Sequence, residues 1–268
     1  MMQVAKKKVG SAIAGVTIEK VAFDAPWAWL AAGWRDMWAA PRISISYGVA
    51  FALLSVRLTA GLMVAGMQSL VLALAGGFLL IGPIAAVGLY ETSRRLENGQ
   101  SIVLRDLVQA GSKAPGQLGF FGAVLAFLYL AWLQIAFLLF MLFLGGGGLP
   151  PPSAFVPTLL FTSHGLGLLV TGTVVGCLFS LVVFAISAIS VPLLMTRRAD
   201  AMTAIAASVT TVLVNPKPLA LWAAIVAGCM ILGIATLYAG LILVFPLIGH
   251  ATWHAYRDLV RESYDSYL

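Results

Sequence analysis

Two histidines near the end of the chain have the spacing of a metal or haem site. His250 and His254 stand four residues apart, which places both imidazoles on one face of a helix. Asp258, one turn further on, is placed to orient His254. A closed site needs more ligands, and the remaining histidine, His164, is predicted on the opposite side of a membrane. The other interpretation is a pair of polar groups in the headgroup layer, and we predict no bound metal or cofactor.

Arg57 is the one charged residue that lies deep inside an apolar run. It stands about 14 residues, or about 21 Å along a helix, from the cytoplasmic end of the first predicted span. A charge at the centre of a bilayer costs about 2.5–3.5 kcal/mol on insertion scales, so an anion contact inside the bundle is one interpretation. Snorkelling of the side chain to the outer headgroups is the other.

Prolines recur late in three predicted spans, at Pro83, Pro192 and Pro246, with glycines close to two of them. Such residues break or kink helices, and transporters use broken helices to aim helix ends at a substrate. Two glutamines in apolar surroundings, Gln68 and Gln134, are predicted to be interhelical hydrogen-bond partners.

The sequence contains none of the usual catalytic motifs. There is no nucleophile–base arrangement, phosphate-binding loop or dinucleotide fingerprint. Cys177 and Cys229 each lie inside an apolar run, where we predict small buried hydrophobic residues. We therefore predict that the protein is not an enzyme.

The composition of the chain indicates whether water or lipid surrounds these residues. Hydrophobic residues make up 61% of the chain and charged residues 10%, against about 25% charged in a soluble domain. No charge occurs from Ala114 to Thr196 or from Pro218 to Tyr256. The pattern predicts an all-α polytopic transmembrane bundle. The net charge of +6 comes from bases that flank the apolar runs, so it indicates anionic headgroups and not nucleic acid.

Apolar runs long enough to span a bilayer predict the helices. Four of them are Ile43 to Ala65, Ser69 to Tyr90, Leu118 to Leu144 and Leu166 to Met195. The glycines and prolines from Gly145 to Pro152 end the third helix and begin an outer linker. The last run, Leu219 to His250, is too long for one span and short for two.

Basic residues cluster in four patches, and these decide how many times the last apolar run crosses the membrane. These patches lie at the N-terminus as far as Arg42, at Arg94 to Lys113, at Arg197 to Lys217 and at Arg257 to Arg261. If all four are cytoplasmic, an even number of crossings separates each neighbouring pair. The last run then crosses twice, with a turn near Gly233 to Gly240. The prediction is six spans in hairpins at about 43–90, 118–195 and 219–256 within one transmembrane domain, residues 27–260. Five spans, with one long tilted helix at the end, is the alternative.

A repeated sequence unit agrees with an even number of membrane crossings. The pattern R-D-[L/M] occurs at Arg35, Arg105 and Arg257. A short amphipathic segment that ends at a proline precedes each hairpin, and we predict that these segments lie at the headgroup level. Their apolar stripes are Trp27, Leu30, Trp34 and Trp38 in the first, and Met202, Ile205, Val209 and Val212 in the third. Residues 1–26 and 261–268 are predicted to be tails, the first flexible and without a cleaved signal peptide.

Two segments resemble a known family. Gly82-Pro83-Ile84-Ala85-Ala86-Val87-Gly88-Leu89-Tyr90-Glu91-Thr92-Ser93-Arg94-Arg95 and Gly249-His250-Ala251-Thr252-Trp253-His254-Ala255-Tyr256-Arg257 are similar to motifs of a proteobacterial family of predicted integral membrane proteins of unknown function. The resemblance extends over about residues 33–260. Members are sometimes labelled cytochrome c oxidase subunit I-like, but three histidines cannot supply the haem and copper ligands of an oxidase.

Three functions are compatible with these observations. The favoured one is a non-catalytic accessory or assembly subunit of a membrane complex, such as a respiratory complex. Its partners would be the lipid bilayer and a membrane protein or a second copy of the chain. A transporter or channel for a small solute or anion that uses Arg57 is the first alternative, and a haem or metal protein that uses His250 and His254 is the second. The resemblance implies the bacterial inner membrane, and the basic patches predict cytoplasmic termini.

Overall fold

The computed structural model describes residues 12–13, 16–67, 71, 82–103, 105, 109–111, 114–147 and 152–262. Most of these residues form helices and only three short strands are present among them, which confirms the predicted all-α class. The elements are β1 (Ala12–Ile13), β2 (Val16–Ile18), α1 (Ala25–Ala39), α2 (Pro41–Val64), α3 (Val87–Glu97), α4 (Pro115–Leu144), α5 (Pro152–Phe161), α6 (Ser163–Ser187), α7 (Ser190–Thr196), α8 (Ala201–Val214), α9 (Pro216–Ala235), α10 (Leu241–Leu259) and β3 (Val260–Glu262).

Four described segments are long and apolar enough to cross a membrane. They are Pro41–Val64, Pro115–Leu144, Ser163–Thr196 and Pro216–Ala235. The first three agree closely with the predicted first, third and fourth spans. The predicted second span, Ser69 to Tyr90, lies mostly outside the described residues.

The predicted turn inside the last apolar run is present. Helix α9 ends at Ala235 and α10 begins at Leu241. Leu237 and Tyr238 have positive φ angles of 53° and 69°, a conformation that ends a right-handed helix. The hydroxyl of Thr236 accepts a hydrogen bond from the amide of Gly240 at 2.8 Å and closes the turn.

The start of α9 and the end of α10 lie close together. The indole of Trp29 makes an edge contact with Trp222 of α9, with ring centroids 5.8 Å apart. The same indole donates a 2.8 Å hydrogen bond to Asp258 of α10. Helices α9 and α10 are therefore antiparallel about the turn.

The ends of the described chain pair with each other, which differs from the tails predicted at 1–26 and 261–268. Strand β2 pairs antiparallel with β1 and with β3, and Ile18 lies opposite Val260. Val16 and Ile18 are buried, and helix α1 begins at Ala25. The alternation that marks such a strand covers only three residues, too few for a sequence pattern. Residues 1–11 lie outside the described residues.

The prolines affect their helices differently. The helix before Pro192 ends at Ser187 and resumes at Ser190, as expected where proline removes a backbone donor. The break is stabilised by Ser208, whose hydroxyl accepts from the amide of Ile189 at 3.3 Å. Pro246, however, lies inside the uninterrupted helix α10, so the break predicted there is absent.

Helix α1 has the two faces expected of a helix at a membrane surface. Its inner face is buried and includes Trp29, Gly33 and Met37. Trp27, Trp34 and Trp38 are about half exposed on the other side. This separation agrees with the predicted tryptophan stripe.

Helix α8 packs differently from the prediction. Small residues form its buried face, namely Ala201, Ala204, Ala207, Ser208 and Thr211. The predicted stripe that contains Met202 is partly or fully exposed. Small side chains let two helices approach closely, and this contact takes precedence over the larger apolar stripe. The predicted middle surface helix, Ile102 to Pro115, lies partly outside the described residues, at positions 104, 106–108 and 112–113.

The linker after α4 contains an unpredicted helix. Helix α4 ends at Leu144, as the glycines that follow it predict. A single 3-10 turn covers Gly145–Gly147, and α5 then precedes α6. The hydroxyl of Thr162 caps α6 by accepting from the amide of Gly165 at 3.0 Å.

Candidate functional site

Helix α10 packs against α1, α2 and α3, and we call these four helices the four-helix junction. Glycines allow their backbones to approach each other. A Cβ at Gly33 of α1 would lie 2.6 Å from the backbone nitrogen of Ala251, and one at Gly48 of α2 would overlap the carbonyl of Ile242. That carbonyl has no helical partner, because the residue four positions later is Pro246. A glycine can therefore pack directly on it.

The two segments that carry the family resemblance meet inside this junction. A Cβ at Gly249 would lie 2.6 Å from a methyl carbon of Leu89, and one at Gly88 would overlap the hydroxyl of Tyr47. Residues Val87 to Ser93 of α3 are all buried. The glycines of both motifs thus allow the close packing of α3, α2 and α10.

His250 lies at the centre of a fully buried polar group in the junction. Its Nε2 is 2.9 Å from the hydroxyl of Ser44, and its Nδ1 is 2.7 Å from the hydroxyl of Ser93. None of the three residues has solvent-accessible surface. Since Ser44 donates to the carbonyl of Ala40, it accepts from Nε2–H, and Ser93 then donates to Nδ1 of a neutral ring.

His254 binds a different partner one helical turn later. Its Nε2 lies 2.8 Å from Oδ2 of Asp36 on α1. Burial alone would raise the pKa of Asp36. The hydrogen bond from His254 is the largest of the opposing contributions, and together these outweigh burial and lower that pKa below its ordinary value.

The aspartates of two R-D-[L/M] patterns play matching roles across the α1–α10 contact. Asp36 of α1 lies against a ring nitrogen of α10, and Asp258 of α10 accepts the indole N–H of Trp29 on α1. The sequence had suggested that Asp258 orients His254, but the structure shows Asp258 bound to Trp29 instead. It fixes the tryptophan that packs on α9.

Two glutamates of α3 complete the polar contacts. Glu91 is fully buried and forms ion pairs with Arg94 at 2.7 Å and Arg95 at 3.0 Å. Glu97 accepts from the indole of Trp253 at 3.1 Å and from Arg257 at 3.0 Å. The first pairs follow the i, i+3 and i, i+4 spacing of the sequence. The contacts of Glu97 join the end of α3 to the second motif and have no local signal in the sequence.

The two histidines do not converge on a single ligand position, because each ring has its own protein partners. Within the described ranges there is no group of three or more His, Cys, Asp or Glu side chains that could hold a metal ion. The arrangement acts chemically as a set of internal hydrogen bonds that locks α1, α2 and α3 onto α10.

Arg57 takes no part in the contacts between the junction helices and lies on the exposed face of α2 among Leu53, Leu54 and Val56. It makes no hydrogen bond or ion pair with the part of the chain that the structure describes. Val64, where α2 ends, is seven residues away, or about 10 Å along the helix. The arginine side chain can reach headgroups from this depth, and its functional role stays a prediction.

A cavity of about 480 Å³ opens where α4 begins and α7 ends. Its polar lining consists of Gln117, Thr196, Arg197, Arg198 and Asp200. Asp200 caps α8 through the amide of Thr203 at 2.9 Å. The cavity lies at helix ends, away from the middle of the spans, where a transporter would bind its substrate.

Residues 70–196 match the model of a family described as predicted integral membrane protein (DUF2189). Over these residues, the match confirms the resemblance to a family of predicted integral membrane proteins of unknown function. The DUF2189 match contains the first motif and α3, whereas the second motif, on α10, lies beyond it and packs directly against the first. No curated protein and no solved structure matches the chain.

Proposed function

We propose that this integral membrane protein is a non-catalytic accessory or assembly subunit of a membrane complex. The observation that carries the proposal is the exposure of α4 and α6, which we call the apolar arm. Only 6% of the most apolar stretch of α4 is buried within the chain. Helix α6 exposes Leu166, Val170, Val174, Leu178 and Val182 along one side. Such a surface is available to another membrane helix.

The closed packing of the four-helix junction supports a structural role. The polar groups around His250 bind each other and have no surface exposure. A substrate would have to replace these hydrogen bonds to reach them, at a cost of about 1–3 kcal/mol for each buried group left unpaired. The transporter, haem and metal hypotheses stay predictions, because no contact among the described residues favours them.

We also propose six spans with both termini in the cytoplasm of a bacterial inner membrane. The pairing of β2 with β3 supports an even number of crossings, because Val16–Ile18 and Val260–Glu262 must lie on the same side. The four described segments that are long and apolar enough to cross a membrane supply four spans, and we assign α10 as the fifth. The predicted span from Ser69 to Tyr90 supplies the sixth.

Purification in a mild detergent followed by mass spectrometry tests the proposal. We expect a second membrane protein at fixed stoichiometry with the wild-type chain. Val174→Trp, which adds bulk to the exposed side of α6, should lower its recovery about tenfold. Leu53→Trp, on the exposed face of α2, is the matched control and should retain the partner. Recovery of the chain alone, or equal recovery from both variants, would refute the accessory-subunit role.

A further inference from the structure

We propose that the face of α4 centred on Gln134 pairs with the same face of a second copy of this chain. The sequence predicted an interhelical hydrogen bond for this glutamine. Its side chain is exposed, and no described residue hydrogen-bonds to it. The partner expected within the chain is therefore missing, and the amide faces outward.

Gln134 lies near the middle of the bilayer. It precedes Leu144, the end of α4, by ten residues, or about 15 Å at 1.5 Å per residue. The hydrocarbon core is about 30 Å thick, so the amide is close to its centre. Lipid tails offer no hydrogen bonds at this depth, and an unpaired amide there is costly.

The side chains around Gln134 form a continuous apolar surface. Phe127, Leu130, Phe137 and Met141 share its face of the helix and are all exposed. Phe127 is 70% exposed and Leu130 is 60% exposed. A single amide within large apolar side chains is the pattern of a helix–helix contact that is fixed by one polar pair.

A second copy is the occupant that this geometry fits. Every copy enters the membrane with the same orientation, so Gln134 lies at the same depth in each. A twofold axis along the membrane normal then places the two glutamines opposite each other. An amide both donates and accepts, and two of them can form reciprocal hydrogen bonds. The contact is thus self-complementary without any other residue type.

This inference does not depend on the accessory-subunit role, although that role is argued from the exposure of both α4 and α6. A complex could contain two copies of the chain, and the self-contact could also form without any further partner. The two proposals are separated experimentally because the tests use α4 for one and α6 for the other.

Disulfide cross-linking in membranes of the expressing cells tests the self-contact. Cys177→Ser and Cys229→Ser first remove the native thiols. Phe137→Cys then places a thiol one turn from Gln134, and we expect oxidation to give a covalent dimer of twice the chain mass. Val174→Cys, exposed at a similar depth on α6, is the control for random collision and should give no such dimer.

The glutamine itself is tested in the same background. Gln134→Leu should weaken association by about 3- to 20-fold, the range expected for an interhelical polar contact in a membrane. Gln134→Asn keeps the amide and should retain most of the dimer. Thermal unfolding of the monomer should be unchanged in both variants, because the side chain is exposed.

Several results would overturn the inference. They are the absence of a dimer from Phe137→Cys, an equal yield from Val174→Cys, a dimer that Gln134→Leu leaves undiminished, and a cross-link to a protein of different mass.

Discussion

The four-helix junction is closely packed within the chain, whereas the apolar arm is largely exposed, although both contain similar residue types. In the junction, glycines lie against backbone atoms of neighbouring helices, as Gly33 does against Ala251. In the arm, Gly116 and Gly119 have nothing within 4 Å of the position of a Cβ. The same difference separates His250, bound on both ring nitrogens, from Gln134, bound by no described residue. Sequence composition alone does not distinguish these environments.

The contrast separates residues whose contacts lie within the chain from residues whose contacts lie with lipid or with another chain. Junction residues are matched to one another over long sequence distances. Arm residues are matched to lipid or to another chain. Cys177 on α6, which the sequence predicted to be buried, is one of these exposed residues. Substitutions in the junction should therefore alter folding, and substitutions in the arm should alter association.

The largest effect is expected for Gly48→Ala. The added methyl group overlaps the backbone carbonyl of Ile242, which cannot move aside as a side chain can, so we expect a cost above the usual overpacking range of about 1–3 kcal/mol. Gly119→Ala in the arm has open space and gains about 0.5–1 kcal/mol from helix propensity. Thermal unfolding in detergent measures both. Equal stabilities would show that the junction is not closely packed.

The next effect is expected for His250→Leu. It removes the partner of Ser44 and Ser93 and should cost about 2–3 kcal/mol, since buried hydroxyls lose their hydrogen bonds. His164→Leu changes an exposed histidine at the start of α6 and should stay within about 0.5 kcal/mol of wild type. Denaturant unfolding measures the free energy of unfolding of both variants. An unchanged stability of His250→Leu would contradict the proposed role of His250 in holding the junction together.

The smallest effect is a dependence on pH. The pKa of Asp36 is lower in the folded protein than its ordinary value, so its ionised form adds stability above about pH 4. This contribution is lost as the pH falls through the folded pKa. Asp36→Asn should flatten the fall of the melting temperature between pH 5 and pH 3, whereas Asp24→Asn, at an exposed carboxylate, should not. An unaltered acid profile for Asp36→Asn would exclude the interaction with His254 as its cause.

The spans were predictable because charge is excluded from lipid over about 20 residues at a time. Helix α2, which begins at Pro41, and the end of α4 at Leu144 agree with that prediction to within two residues. Parity likewise predicted the turn before Leu241. These features depend on composition and on local residue order, both of which a single sequence displays.

The contacts of the junction could not be predicted in the same way. Ser44 and His250 are 206 residues apart, and Ser93 and His250 are 157 apart. Serine is also common in membrane helices as a packing residue, so nothing marks these two. The i, i+4 spacing of His250 and His254 suggested a shared ligand, but α2 and α3 bind the first ring and α1 binds the second.

The outward face of α6 tests the accessory-subunit account most directly. A photoreactive amino acid at Val174, activated in native membranes, should form a discrete adduct with one other membrane protein. The same group at Trp34, exposed on α1, should give lipid adducts without that protein. Lipid adducts alone from Val174, at full expression and normal folding, would contradict the account.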